Sequence, residues 1–268
     1  MSFKLKVLTA ITLFFACRAA FSGDIKWPEK VSFALYESGY LYDESKDTGI
    51  DKDIASEVAK RAGFNIEFVV MTRAKIWHEL ETGGIMFTGS GIQNPERDKF
   101  AWFILYYSEK HYVVRLKKAE AKSAEDFFAK KNLAWGMIRA YKHGAEGDMF
   151  LDKLKKEERL EEVKTQKDLY QMLQKERFQA VFGVPTIYSR YLVENNLLDK
   201  VEIEDWFSNE EAVPRGLVFS KKHFGENEIK FLRGVLKEIR ADGTLQKILA
   251  KYVKEDNAKT LLKFKPKE

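Results

Sequence analysis

The chain has 268 residues, 45% hydrophobic and 32% charged, with only 5 Pro and 16 Gly. That length suits one large domain or two medium lobes, and the composition excludes a disordered or collagen-like chain. The formal charge is +5, but residues 1–22 carry Lys4, Lys6 and Arg18 and no acid. Without them 43 basic residues face 41 acidic ones, a balance of +2 that argues against nucleic acid as the main partner.

Lys4 and Lys6 precede the apolar run Val7–Ala16, and small residues follow at Ala19, Ala20, Ser22 and Gly23. A run this short cannot cross a hydrocarbon core of about 30 Å, which takes about 20 residues. The pattern predicts a secretory signal peptide over 1–22, cut after Ser22, and hence a periplasmic product. Cys17 raises the alternative of a lipoprotein, although Phe14-Phe15-Ala16 is a poor match to the usual Leu-small-small run. Cleavage after Ser22 leaves no cysteine, which excludes disulfide and thiol chemistry in the product.

In chain order, Val31–Tyr36 reads as a first strand and Tyr36–Tyr42 as an aromatic-rich loop. Over Asp51–Ala62, Ile54, Ala55, Val58, Ala59 and Ala62 recur at helical spacing before Gly63. Ile66–Val70 is a strand, a helix with Trp77 and Leu80 ends at Gly83-Gly84, and Ile85–Thr88 is a third strand. This alternation predicts a parallel sheet with helical crossovers. A second unit begins around Ser108–Val114. Ser123 and Asp126 cap a helix through Lys130, Leu133–Ile138 is a strand, Thr165 and Asp168 open another helix, and Ala180–Val184 follows as a strand. The charge-rich stretch Lys153–Lys167 reads as a solvated helix and connector. Ile229, Leu232, Val235, Leu236 and Ile239 form a helical stripe broken at Gly243, and the tail after Lys254 reads as polar and frayed.

The order of several short motifs carries a resemblance. Thr48-Gly-Ile-Asp-Lys-Asp53, Glu79-Leu-Glu-Thr-Gly83, Asn94-Pro-Glu-Arg97 and Ala241-Asp-Gly-Thr-Leu245 occur in sequence, with Phe219-Ser-Lys-Lys222 between the last two. In this the chain resembles the family 3 periplasmic solute-binding proteins of amino-acid ABC importers, from about Val31 to Tyr252. The resemblance implies an α/β fold of two lobes, each a sheet flanked by helices, with two hinge crossings. Residues 24–112 plus 215–268 would form lobe one and 113–214 lobe two. Ligand would bind in the cleft between them, where strand ends and helix N-termini meet.

Within that family the arginine of Thr-Pro-Glu-Arg grips the ligand carboxylate, which here is Arg97. Its planar guanidinium offers a bidentate fork, which favours ligand binding over the alternative of a surface pair with Glu96 or Asp98. Ser90 and Gly91 just before it would let the backbone approach an anion. Tyr36, Tyr40 and Trp77 would wall the cleft. Arg73 and the run Ile138-Arg139-Ala140-Tyr141 resemble segments of divergent members, which would turn Arg73, Arg139 and Tyr141 toward the ligand. The departures bear on the ligand. Ile92 stands where a hydroxyl is expected, Asn94 replaces Thr, Ala140 replaces Gly, and Val184 replaces the acid that would hold an α-ammonium. Either another acid such as Glu37 substitutes, or the ligand is not an ordinary α-amino acid.

Catalytic signals are weak. Gly89-Ser90-Gly91 lacks the spacing of a nucleophile elbow, and His78, His111, His143 and His223 are scattered singly. The resemblance therefore implies no enzyme, no cofactor and no metal, but a monomer that captures a small polar, carboxylate-bearing solute for an inner-membrane ABC permease. An orphan or sensory binding protein, or a cyclohexadienyl dehydratase-like enzyme, are the alternatives.

Overall fold

The computed structural model describes residues 25–253 and 255–263. The expected signal peptide, with Cys17, lies outside the described residues. The first sheet contains β1 (Val31–Leu35), β2 (Ile66–Val70), β3 (Phe87–Gly91), β4 (Ala101–Glu109) and β10 (Val213–Ser220), in the order β2-β1-β3-β10-β4. β1 runs parallel to β2 and β3, while β10 is antiparallel to both β3 and β4. The second contains β5 (Tyr112–Leu116), β6 (Trp135–Ile138), β7 (Leu160–Val163), β8 (Ala180–Gly183) and β9 (Val201–Glu204), in the order β7-β6-β8-β5-β9. The chain leaves the first sheet after Glu109, enters the second at Tyr112 and returns between Glu204 and Val213. This is the expected two-lobe architecture.

Local chemistry accounts for the helices that aim at the cleft. α1 (Ile50–Ala62) carries Asp51 and Asp53 in its first turn and Lys60 and Arg61 in its last, matching the helix dipole at both ends. α2 (Arg73–Thr82) starts where the Thr72 hydroxyl accepts from Lys75 N–H. α3 is one turn, Pro95–Asp98, with proline in its first turn and Asn94 as N-cap. In lobe two, α4 (Ala124–Ala129) and α6 (Gln166–Gln174) start at the hydroxyls of Ser123 and Thr165, as their spacing predicts. Between them lies α5 (Ala145–Lys156), and α7 (Pro185–Glu194) follows β8. The chain closes with α8 (Glu226–Ala241), α9 (Thr244–Ala250) and α10 (Glu255–Leu261).

Each lobe has an aromatic centre. In the first, Phe33 meets Phe87 edge-on at 4.6 Å and Phe87 stacks on Phe219 at 5.1 Å. In the second, Trp135 lies 5.1 Å from Phe127 and 4.8 Å from Phe182. Such pairs add about 0.5–1.5 kcal/mol each beyond the apolar area they bury.

Several expectations need correction. The third strand is Phe87–Gly91, two residues beyond the expected start, because Ser220 N–H takes the Met86 carbonyl and the pairing with β10 reaches Gly91. Ser108 still belongs to the lobe-one strand β4, which ends at Glu109, and the second unit starts only at Tyr112. The charged stretch 153–167 hides β7, an edge strand whose outward residues are solvated. The tail is not frayed throughout, since α10 buries Ala258 fully and Leu261 nearly so.

Candidate ligand-binding cleft

The cleft is built where β3 ends, where α2 and α3 begin and where the β6–α5 loop faces them. Asn94 accepts from Arg97 N–H at 3.0 Å, so asparagine replaces threonine without loss of the cap. That cap turns Arg97 inward, and its residue surface is only 8% exposed. Nη1 donates to the Ile92 carbonyl at 2.6 Å, Nη2 donates to the Ala140 carbonyl of lobe two at 3.0 Å, and the guanidinium lies 3.6 Å from the Trp77 ring centre. The alternative ion pair with Glu96 or Asp98 is not made; Glu96 pairs with Lys99. Burial, then the nearby charge of Arg73, pulls the Arg97 guanidinium down to about 9. It stays cationic at neutral pH.

Arg73, at the first position of α2, is buried beside it. Its guanidinium sits 4.8 Å from the Trp77 ring centre and 5.0 Å from that of Tyr36. Nη2 donates to the Ser90 carbonyl at 3.3 Å, while Nε and Nη1 have no partner among the described residues. Tyr36 is buried, and that burial pushes its phenol up to about 12, so it stays protonated. Tyr141 is buried too, its hydroxyl accepting from Arg215 Nη1 at 2.8 Å. Tyr36, Arg73, Trp77, Arg97 and the Ala140-Tyr141 step therefore converge.

The other expected residues are placed differently. Ser90 turns into lobe one: its hydroxyl donates to Asp51 at 2.6 Å and its N–H donates to Tyr106 at 3.2 Å. Gly91 is required by packing, because a Cβ there would lie 2.2 Å from Val218 Cγ2 and 3.2 Å from the Trp77 ring. Tyr40 is half-buried and contributes its N–H to the Thr186 carbonyl across the lobes, at 2.8 Å. Arg139 is exposed and its Nε lies 3.5 Å from Glu162, so its side chain points away from the convergence. Glu37 is no substitute for the missing acid. Its carboxylate takes Arg190 Nη1 at 2.7 Å, the Tyr191 hydroxyl and Glu44 N–H.

Sequence reasoning missed a buried cluster at the hinge. Arg215, on β10, is fully buried; Nη2 donates to His111 Nε2 at 3.2 Å, and Nε lies 3.8 Å from Glu109. Because a guanidinium only donates, His111 carries its proton on Nδ1. Burial, followed by the charge of Arg215, holds His111 well below its ordinary range and His143 down to about 3, so both imidazoles are neutral. Burial raises the Glu109 carboxyl, against the pull of Arg215. A lone arginine inside the apolar strand Val213–Ser220 was the available signal for this cluster. A narrow cavity of about 10 Å³ lies here between His111, Ile138, Tyr141, His143, Phe182 and Val184. That is about the space for one water, so a larger solute enters only as the lobes part. Among the described residues no group of three or more His, Cys, Asp or Glu is arranged to hold a metal ion.

The chain matches the model of bacterial extracellular solute-binding proteins, family 3, over residues 34–255. It is 26% identical over 243 residues to the arginine-binding extracellular protein ArtP of Bacillus subtilis, covering 88% of this chain and 91% of ArtP. Among solved structures it is similar to the arginine-, lysine-, histidine-binding protein ArtJ of Geobacillus stearothermophilus, at 20% identity and a TM-score of 0.69. That match covers 86% of this chain and 99% of ArtJ. A Streptococcus pneumoniae ABC uptake transporter substrate-binding protein with bound histidine aligns at 16% identity and a TM-score of 0.72, over 88% and 95% of the two chains. With the fold, the cleft and a family match over most of its length, this chain belongs to the family 3 bacterial extracellular solute-binding proteins.

Proposed function

We propose that this chain captures a small carboxylate-bearing solute between its lobes, with Arg97 as the anchor, and delivers it to an ABC permease at the inner membrane. The observation that carries the reading is the state of Arg97. A buried guanidinium that bonds only to backbone carbonyls has no counter-charge within ion-pair distance among the described residues. A carboxylate reaching it gains a charge-assisted pair shielded from water. The role is binding rather than catalysis: burial, then the charge of Arg215, makes the two imidazoles near the cleft weak bases, and among the described residues no hydroxyl or thiol is hydrogen-bonded to either. The protein acts as a monomer in the periplasm.

The relatives named for arginine or histidine do not fix the ligand here. The position expected to hold an α-ammonium is Val184, which is buried and offers no charge. A thermal-shift screen of organic acids and amino acids tests the reading. Ligand at 100 times its dissociation constant adds about 2.7 kcal/mol of stability. Arg97→Gln should weaken an anionic ligand by roughly ten- to a hundredfold by titration calorimetry, from the usual 1.5–3 kcal/mol of a charged hydrogen bond. Tight binding of a plain zwitterion, indifferent to Arg97→Gln, would overturn it.

A further inference from the structure

We propose that Arg73 is a second anion anchor beside Arg97, so that the cleft selects small dianions, above all α,ω-dicarboxylic acids, over zwitterionic amino acids. The inference rests on the reading of Arg97 given above and adds the ligand's charge class. Two guanidiniums share one indole face system, 3.6 and 4.8 Å from the Trp77 ring centre, and neither has a carboxylate within ion-pair distance among the described residues. Arg73 is 2% exposed. Burying a cation without a partner is costly, and burying two side by side more so.

The spare hydrogen-bonding groups at this point are of one kind. Arg73 Nε, Arg73 Nη1 and Trp77 Nε1 are all buried, all donors and all without a partner. Donors that converge without acceptors call for an acceptor-rich ligand, and a carboxylate is the group that accepts from a guanidinium fork. The acids nearby each face another group. Asp51 takes the Ser90 hydroxyl at 2.6 Å and reaches Arg73 only through Ser90, whose carbonyl accepts from Arg73 Nη2. Glu109 lies 3.8 Å from Arg215 Nε and makes no hydrogen bond among the described residues, and Glu37 is held by Arg190. Glu109 faces the charge of Arg215, and the imidazoles of His111 and His143 sit beside that same cation, which repels an ammonium.

The test is calorimetric titration of the purified chain with α,ω-dicarboxylates of two to six carbons, their monoamides and the α-amino acids of matching length. The monoamide keeps the length and removes one negative charge. The best dicarboxylate should bind at least about tenfold tighter than its monoamide, the worth of one added charge-assisted contact. Arg73→Gln should bring the two within about threefold of each other, and Arg73→Lys, which restores the charge without the fork, should keep part of the preference. Melting curves of both variants establish that they fold. The proposal is overturned if dicarboxylate and monoamide bind the unaltered protein equally, or if Arg73→Gln weakens both by one common factor, as a merely structural residue would. If no carboxylate binds, or Arg97→Gln leaves binding intact, the Arg97 reading itself falls, a result distinguishable from the loss of Arg73 selectivity alone.

Discussion

A single buried carboxyl ties the cleft floor to the stability of lobe one. Asp51, in the first turn of α1, accepts from the Ser90 hydroxyl and, at 3.3 Å, from Tyr106. Burial outweighs those bonds and the nearby charge of Arg73, and pushes the carboxyl up to about 6. The folded chain therefore holds this proton more tightly than an unfolded one, whose carboxyl titrates near 3.8. Asp51 favours the folded state most below pH 4, loses that contribution as pH rises toward 6, and adds no further pH dependence above it. Asp51→Asn keeps an oxygen to accept from Ser90 and removes the titration. Across pH 4 to 7 the unaltered chain should lose about 2–3 kcal/mol relative to Asp51→Asn, measured by urea unfolding at each pH. A constant difference across that range would show that Asp51 does not titrate there. A second residue-scale feature is Ala140, which adopts φ 62 where the family resemblance led us to expect glycine. The left-handed turn survives at a cost of about 1–2 kcal/mol, and it brings the Ala140 carbonyl to Arg97.

Elements were legible where one periodicity governed them. The stripe of α8 and the 3–4 spacing of α1 appear as expected, because one face packs on a sheet and the other is solvated. The parallel strands β1 and β2 were legible as short apolar runs. β7 was not, because Leu160-Glu-Glu-Val163 is an edge strand with one neighbour, and its charges satisfy the usual requirement for a protected edge. Arg97 stands in a local motif and Trp77 among aromatics near the expected rim, whereas Arg215 and Glu109 meet through antiparallel pairing of β10 with β4, a contact that local spacing does not encode. The terminal helix α10 escaped notice because two apolar contacts carry it. Ala258 and Leu261 are buried in the lobe-one core amid Glu255, Asp256 and Lys259. Leu261→Ala should cost about 2–3 kcal/mol, since a buried leucine leaves a cavity at a site of limited relaxation. Hydrogen exchange over 255–263 reads the same change locally. Unaltered stability and exchange would mean that the helix is not docked in solution.

At the scale of the whole molecule, the two lobes also meet through contacts away from the guanidiniums of the cleft. The loop after β1 presses on α7 of the other lobe so closely that a Cβ on Gly39 would lie 2.5 Å from Ile187 Cα. Arg190, on α7, reaches that loop with Nη1 at 2.7 Å from Glu37 and Nη2 at 3.3 Å from Asp43, and also donates to the Gly39 carbonyl. The Arg190 side chain is 13% exposed and that of Glu37 22%, so the pair is partly screened by solvent but not lost to it. An interlobe pair of this kind contributes about 1 kcal/mol, and it exists only when the lobes are together. A two-lobe protein that opens and closes is an equilibrium of two forms, and a contact present in one form alone shifts their ratio by its full free energy. Glu37→Gln removes the charge and keeps the size, so the open-to-closed ratio should rise roughly fivefold. Raising salt should move the unaltered protein the same way and the variant less, because screening acts on the charge that the variant lacks. Distances between fluorophores placed on the two lobes, read at low salt and at about 1 M salt, where screening is nearly complete, follow both effects. Equal distributions for the two proteins at low salt would mean that backbone contacts such as Tyr40 N–H to the Thr186 carbonyl hold the lobes, and that Arg190 adds nothing to closure.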